Sequence, residues 1–562
     1  MPRTFSYLLT SLCCLFSQVT FAKHPESAPS KSMVDSSAMI TESAMRAHIR
    51  FLASDLLEGR GPGTRGDELA QLYIATQLQS FGLEPMGSNG SWLQPVPLVG
   101  TTSKAPDVLS INSGDKKLDL KYFADYIAVT GKPVQSVNLA DREIVFVGYG
   151  IQAPEYDWDD FKDVNLEGKI LLMMNNDPSS DPNLFAGKKR LYYGRWDYKY
   201  ESAARQKAAG AIIIHTTESA GYPFQVIQTS WTGEEFELRD GAGPRLDMRG
   251  WVTNDAAKRI AEHAGLDLDK LRAMAERRDF KPVTLSSKMS IDLAAAVRNI
   301  DSANVLGLLE GTDPKLKDEY VVFMAHHDHL GLAASRNEKG DMIYNGAIDN
   351  ASGVATMLSI AQTFARLGEK PKRSIIFASV AAEESGLLGS KFFADQPPVP
   401  AGKIAAVINM DGINFLGRSK DVNVIGDGKS DLDGLVKQIA KMQNRIVTPD
   451  NFPDKGYYYR SDQFSLAKVG IPGVYLHAGI NILGQPEGWG KKQNEEWTER
   501  DYHQPSDEYR EDWELAGAIE DAQLLYLVGL MVGNQPAMPK WNDGDEFEAA
   551  RLKAIEAAGS KN

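Results

Sequence analysis

Cysteine is almost missing from this chain: of 562 residues only Cys13 and Cys14 are cysteines, and both fall within the first 22. Residues 1–22 read as a secretory signal peptide. Arg3 precedes an apolar run from Tyr7 to Phe16, and Thr20-Phe21-Ala22 gives a small-x-small ending. Removing it would leave no cysteine, which excludes disulfides and a thiolate nucleophile from the mature protein. The apolar run is also too short to span a bilayer, so soluble export to the periplasm or medium is expected. Positive charge is scarce as well. Lys and Arg number 61 against 75 Asp and Glu, a net charge of −14 that grows by one unit when Arg3 leaves. No basic stripe is present, so nucleic acid and anionic membranes are excluded as partners.

What remains has the make-up of a soluble globular protein, 43% hydrophobic and 24% charged, long enough for two to four domains at roughly 150 residues each. Residues 23–39 are polar and rich in Pro and Ser, and read as a disordered leader. From residue 40, a helical stretch Met45–Leu57 leads into the glycine-rich Glu58–Gly66. A second helix, Asp67–Phe81, then carries Leu69, Tyr73, Ile74, Leu78 and Phe81 at helical spacing. The glycine loop lacks the Lys-Ser/Thr ending of a phosphate-binding loop and is read as structural.

Residues 108–293 form a separate stretch. Strands are expected at Glu143–Tyr149, Lys169–Met174 and Ala211–His215, with helical character at Ala203–Ala209. His215 and His263 each stand alone, so this reads as an inserted module without chemistry of its own. Residues 541–562 read as a charged tail.

Chemistry gathers between Asn304 and Val532, where strands and helices alternate. The apolar run Val321–Ala325 ends at His326-His327-Asp328-His329. The run from Ser374 to Ala382 ends at Glu383-Glu384, and Ile404–Met410 ends at Asp411. Asp349 sits where a helix, Val354–Leu367, is about to begin, and an N-cap role would also explain it. Tyr502-His503-Gln-Pro-Ser-Asp507 completes five patches. If the three strands are parallel neighbours, His326, Glu383-Glu384 and Asp411 meet at one sheet edge, where open α/β sheets collect ligands.

These patches, His-x-Asp, Gly-Ala-x-Asp-Asn-x-Ser-Gly, Glu-Glu-x-Gly-Leu-x-Gly-Ser, Asn-x-Asp and Tyr-His-x-x-x-Asp, resemble in this order the M28 family of co-catalytic zinc exopeptidases. The resemblance implies a three-layer αβα fold with a mixed, mainly parallel sheet, spanning 40–107 and 294–540. The 108–293 stretch, with Phe146-Val-Gly-Tyr-Gly-Ile-Gln-Ala-Pro154 and Asp163-Val-Asn-Leu-Glu-Gly-Lys169, resembles the protease-associated domain of many members, an α+β insertion.

Carried over residue by residue, the resemblance implies two zinc ions per chain. His326, Asp349 and Asp411 would hold one, and Asp349, Glu384 and His503 the other, with Asp349 bridging. It makes Glu383 the general base for a metal-bridged hydroxide, Asp328 the carboxylate behind His326, and Tyr458 the oxyanion tyrosine, three residues before Ser461. His327 and His329 stay open as rival ligands. Where the family usually has a second acid beside the bridge, this chain has Ile348.

Two zinc ions carry four positive charges and the three ligand carboxylates cancel three, so neutral histidines suffice for the rest. Ligation without thiolate suits zinc, and cobalt or manganese could substitute. The loop Gln485–Trp489 and His477 are further candidates for a substrate wall and a supporting role. The implied activity is that of an aminopeptidase acting on peptides. A carboxypeptidase or dipeptidase, for which Arg460 is a lone cationic candidate, and a non-catalytic receptor on the same scaffold are the alternatives. Oligomeric state is not readable.

Overall fold

The computed structural model describes residues 29–559 apart from 163, 242, 334, 335 and 338. The expected signal peptide, and residues 23–28 of the expected leader, lie outside the described residues. The rest of that leader is not irregular. Lys31–Ser37 is a helix capped by the Ser30 hydroxyl, which accepts from the Met33 amide. It docks on the helix Ala516–Asn534, where Ser36 Oγ and Tyr526 Oη are 2.8 Å apart. Tertiary docking overrides a composition that favours disorder.

Four parallel strands lie side by side in the order Ser374–Val380, Tyr320–His326, Ile404–Asn409 and Gly473–His477. The first three are apolar on both faces and almost wholly buried, as parallel strands covered by helices must be. Val321, Phe323 and Ala325 point into one core, shared with the helices Glu42–Leu52, Arg65–Ser80, Ser352–Ala365 and Ala516–Asn534. Val322 and Met324 point into another, shared with Phe393 and Leu466 of Leu388–Asp395 and Gln463–Lys468. Period-two alternation therefore separates two helical layers, giving the three-layer αβα arrangement. Antiparallel strands flank the parallel set: the end of Val283–Leu309 beside Ser374–Val380, and Asp421–Val424 beside Gly473–His477. Ala516–Asn534 is long and apolar enough to cross a membrane, but 67% of its apolar window is buried in this core.

The strands of the inserted stretch extend the same hydrogen-bonded sheet, joined to it through Val283–Leu309. Tyr126–Thr130, Met248–Thr253, Gly210–His215, Ile170–Met174 and Ser136–Phe146 are neighbours in that order, the last four mutually parallel. The helix expected at Ala203–Ala209 is Trp196–Arg205, earlier in the chain, because Lys207 at φ 57° has already turned it towards the next strand. The boundary expected at 293/294 falls inside one continuous strand, Val283–Leu309. Leu285, Met289, Ile291 and Leu293 are buried in the module's core, and residues 294–305 then pair with Leu93–Lys104. Hydrogen bonding crosses the change of pattern that marked the boundary.

The expected C-terminal tail is packed. Trp541 and Phe547 join an aromatic cluster, and Glu548–Gly559 is a helix from which Arg551 Nη1 donates to the Ile404 carbonyl at 2.8 Å. Trp541, Phe547 and the charged Arg551 are all buried and anchor this segment.

Candidate metal centre

The ends of three parallel strands converge as their order requires. His326 is the last residue of Tyr320–His326, Glu383 and Glu384 follow Ser374–Val380 by three and four residues, and Asp411 follows Ile404–Asn409 by two. His326 Nε2 lies 3.3 Å from Asp349 Oδ1 and 3.5 Å from Asp411 Oδ1. His503 Nε2 lies 3.2 Å from Asp349 Oδ2 and 3.0 Å from Glu384 Oε2. The two oxygens of one carboxylate thus face two separate donor sets.

Ligand atoms about 2.1 Å from a tetrahedral ion are about 3.4 Å from one another, so these separations suit a metal. The buried Nε2 atoms of His326 and His503 also have no hydrogen-bond partner. Orphaned buried imidazole nitrogens facing carboxylates make a donor set suited to a cation. The donor set fits.

The field is strongly negative. Burial alone would lower both imidazoles, but the surrounding carboxylates prevail, holding His326 well above its ordinary range and His503 at about 10. Burial and Asp349 push Glu384 up, yet His503 and His329 overcome them and keep it at about 2. Burial raises Glu383, with Glu384, Asp411 and Asp462 adding to the effect against His326. Glu383 Oε2 stands 4.0 Å from His326 Nε2, beside the donors and facing the same cavity.

Each donor is held from behind. Asp507 accepts from the amides of Ile348 and Asp349, at 3.0 and 3.1 Å, and so fixes the loop carrying the shared carboxylate. Ser461 donates to Asp411 Oδ2 at 2.6 Å, leaving Oδ1 for His326's side. Asp328 stands behind His326, its Oδ1 3.7 Å from Nδ1, and also braces the next turn. Its carboxylate accepts from the Glu383 and Glu384 amides, while His326 Nδ1 pairs with the Asp328 main-chain carbonyl at 3.2 Å. Asp328 therefore ties the histidine strand to the two-glutamate turn.

The rival histidines separate cleanly. His327 points away, its ring between Ser379 Oγ and Asp67 Oδ1, both at 3.1 Å. His329 Nδ1 meets Glu384 Oε1 at 2.6 Å, on the side of that carboxylate opposite His503. It reads as a support for Glu384.

The glycine-rich loop contributes Arg60, which is fully buried and donates to four carbonyls: Leu52, His327, Asn345 and Gly346. Burial lowers it to about 10 against the pull of Asp328, Asp507, Asp349 and Glu384. The loop can run this close only because Gly59, at φ 71°, has no Cβ; one would sit 2.4 Å from the Gly331 carbonyl.

Tyr458 is not brought to the site. Its ring lies among Ile425, Trp541 and Phe547, with Lys429 Nζ 4.9 Å from its centroid. Counting back from Ser461 misplaced it, because Tyr457–Tyr459 forms a tight helical turn that points neighbouring rings apart. Tyr502 stands beside the donors instead. It stacks on His503 with centroids 4.0 Å apart, and its hydroxyl accepts from Arg460 Nη2 at 3.2 Å. Its place next to His503 in the sequence was the signal that could have found it.

The donors open into a cavity of about 500 Å³ walled by Phe415, Phe452, Tyr457, Tyr475, Trp497 and Tyr502, with Tyr222 and Pro223 from the inserted module. His477 is on this wall, its Nε2 2.8 Å from Tyr475 Oη. The loop Gln485–Trp489 is mostly exposed and does not line the cavity; the helix Trp489–Arg500 that follows supplies Trp497.

Residues 304–527 match the family model "Peptidase family M28". Over 126 residues the chain is 36% identical to a probable zinc metalloprotease of Pyrenophora teres f. teres, covering 22% of this chain and 24% of that one. Over 120 residues it is 36% identical to aminopeptidase NAALADL1 of Rattus norvegicus, covering 20% and 14%. The chain thus spans about a quarter or less of these relatives' length. An aminopeptidase from Aneurinibacillus sp. strain AM-1 shares the fold, with a TM-score of 0.52 and 19% identity, over 90% of this chain and 97% of that one.

Proposed function

Because residues 304–527 are a peptidase family M28 domain, we propose that the protein is an exported two-zinc exopeptidase, an aminopeptidase that removes N-terminal residues from peptides. One observation carries this reading: Asp349 turns Oδ1 towards His326 and Oδ2 towards His503, as a carboxylate shared by two ions would. His326, Asp349 and Asp411 would hold one zinc, and Asp349, Glu384 and His503 the other. Export rests on the N-terminal apolar stretch, and the inserted module is read as a protease-associated domain.

Bound zinc supplies Lewis acidity to the scissile carbonyl and to the attacking water. The remaining steps belong to the chain's own groups. Glu383 removes the proton of the attacking water and returns it to the leaving amine. Tyr502 accepts from Arg460, so its own proton is free to stabilise the oxyanion, a donor of this type being worth ~2–4 kcal/mol. Carboxylate oxygens of Asp349, Glu383, Glu384 and Asp411 line the cavity and can accept hydrogen bonds from a free α-amine, while the aromatic wall takes the side chain and displaces water.

Acetylating the substrate's N-terminus should therefore abolish cleavage, and amidating its C-terminus should change little. Four peptides, blocked and unblocked at each end, provide the comparison. A second reading is favoured by Arg460, a cation on the cavity wall placed to meet a carboxylate. Rapid cleavage of the N-acetylated peptide together with loss on C-terminal amidation would establish carboxypeptidase action instead.

A further inference from the structure

The two histidine donors are supported from different parts of the chain. His326 Nδ1 meets a carbonyl two residues away, within the catalytic domain. His503 Nδ1 meets Ser230 Oγ at 2.9 Å, and Ser230 ends the helix Phe224–Ser230 of the inserted module. That is the hydrogen bond of His503 Nδ1 among the described residues. The seam continues beside it, where Thr229 Oγ1 donates to the His503 carbonyl at 3.2 Å and Gln225 Nε2 to Gln504 Oε1 at 3.2 Å.

An imidazole that offers Nε2 to a cation must carry its proton on Nδ1, and that proton needs an acceptor to fix the tautomer and the ring plane. His503 sits on backbone at φ 55°, with its ring between Tyr502 at 4.0 Å and, edge-on, His329 at 5.5 Å. Those contacts fix the plane of the ring but not which of its edges faces Asp349 and Glu384; a half-turn about the Cβ–Cγ bond would put Cε1 where Nε2 stands. Ser230 Oγ is the group that discriminates.

We propose that Ser230 is a positioning residue through which the inserted module governs occupancy of the metal site formed by Asp349, Glu384 and His503. The module is then a working part of the metal centre rather than only a wall. The proposal rests on the two-metal reading above, and it makes the His503 site sensitive to movement of the 224–230 helix while the His326 site is not.

The test uses full-length protein with Ser230→Ala, Ser230→Thr and, as a control on the same seam, Gln225→Ala. Zinc affinity at each site is measured by competition with a chromophoric chelator, alongside the visible spectrum of the cobalt-substituted protein and the Tm of the metal-free chain. Ser230→Ala should weaken one ion by ~10–100-fold, the effect typical of losing a ligand's outer hydrogen-bond partner, and leave the other ion and the Tm unchanged. Threonine should restore the affinity, and Gln225→Ala should leave both ions as in wild type. Equal affinities in wild type and Ser230→Ala, or an equal loss at both sites with a lower Tm, would overturn the proposal. Fewer than two ions in the wild type would instead contradict the two-metal reading itself.

Discussion

Glu383→Gln is expected to keep the metal ions and lose at least ~10²-fold in kcat. The substitution preserves shape and hydrogen-bonding reach but removes the ability to take up a proton. Glu383 is not needed to fill either donor set. His326, Asp349 and Asp411 make one and Asp349, Glu384 and His503 the other, and each pairs a histidine nitrogen with carboxylate oxygens at 3.0–3.5 Å, while Glu383 stands off at 4.0 Å. Its neighbour Glu384 faces His503 and His329 and cannot replace it without giving up those partners. Steady-state kinetics paired with metal analysis reads the two effects separately. A rate near wild type with metal retained would place the base elsewhere, and loss of metal with activity would make Glu383 a ligand.

Asp349→Asn should weaken both ions together. The change leaves a neutral carbonyl oxygen and an amide that cannot ligate, so one site loses its donor outright and the other loses the charge. Each should fall by more than the roughly 10–100-fold typical of losing an outer partner of a ligand. His503→Ala provides the contrast, since it belongs to one donor set only. Loss of a single ion from Asp349→Asn, with the other held normally, would show that this carboxylate does not bridge.

What could be read from the sequence was whatever is local to a strand end. His326, Glu383-Glu384 and Asp411 follow continuous apolar runs, and parallel strands bring such ends to one edge. The supports behind them were less visible, because each depends on a distant segment. Arg60 reaches His327 and Gly346 across the fold, and Ser230 reaches His503 from a helix more than 270 residues earlier in the chain. Tyr458 was misplaced because residue spacing does not specify ring direction in a tight turn, whereas Tyr502 is adjacent to a donor in both sequence and space. The leader helix and the C-terminal helix were hidden by polar composition, their anchors being a few contacts such as Ser36 with Tyr526 and Arg551 with Ile404.

If the two oxygens of Asp349 serve two metal ions, the metal content per chain will show it. Protein stripped with a chelator, reconstituted with zinc and freed of excess ion should hold two zinc ions per chain, with activity returning alongside them. A single tightly held ion per chain, or none, after the same treatment would contradict the account.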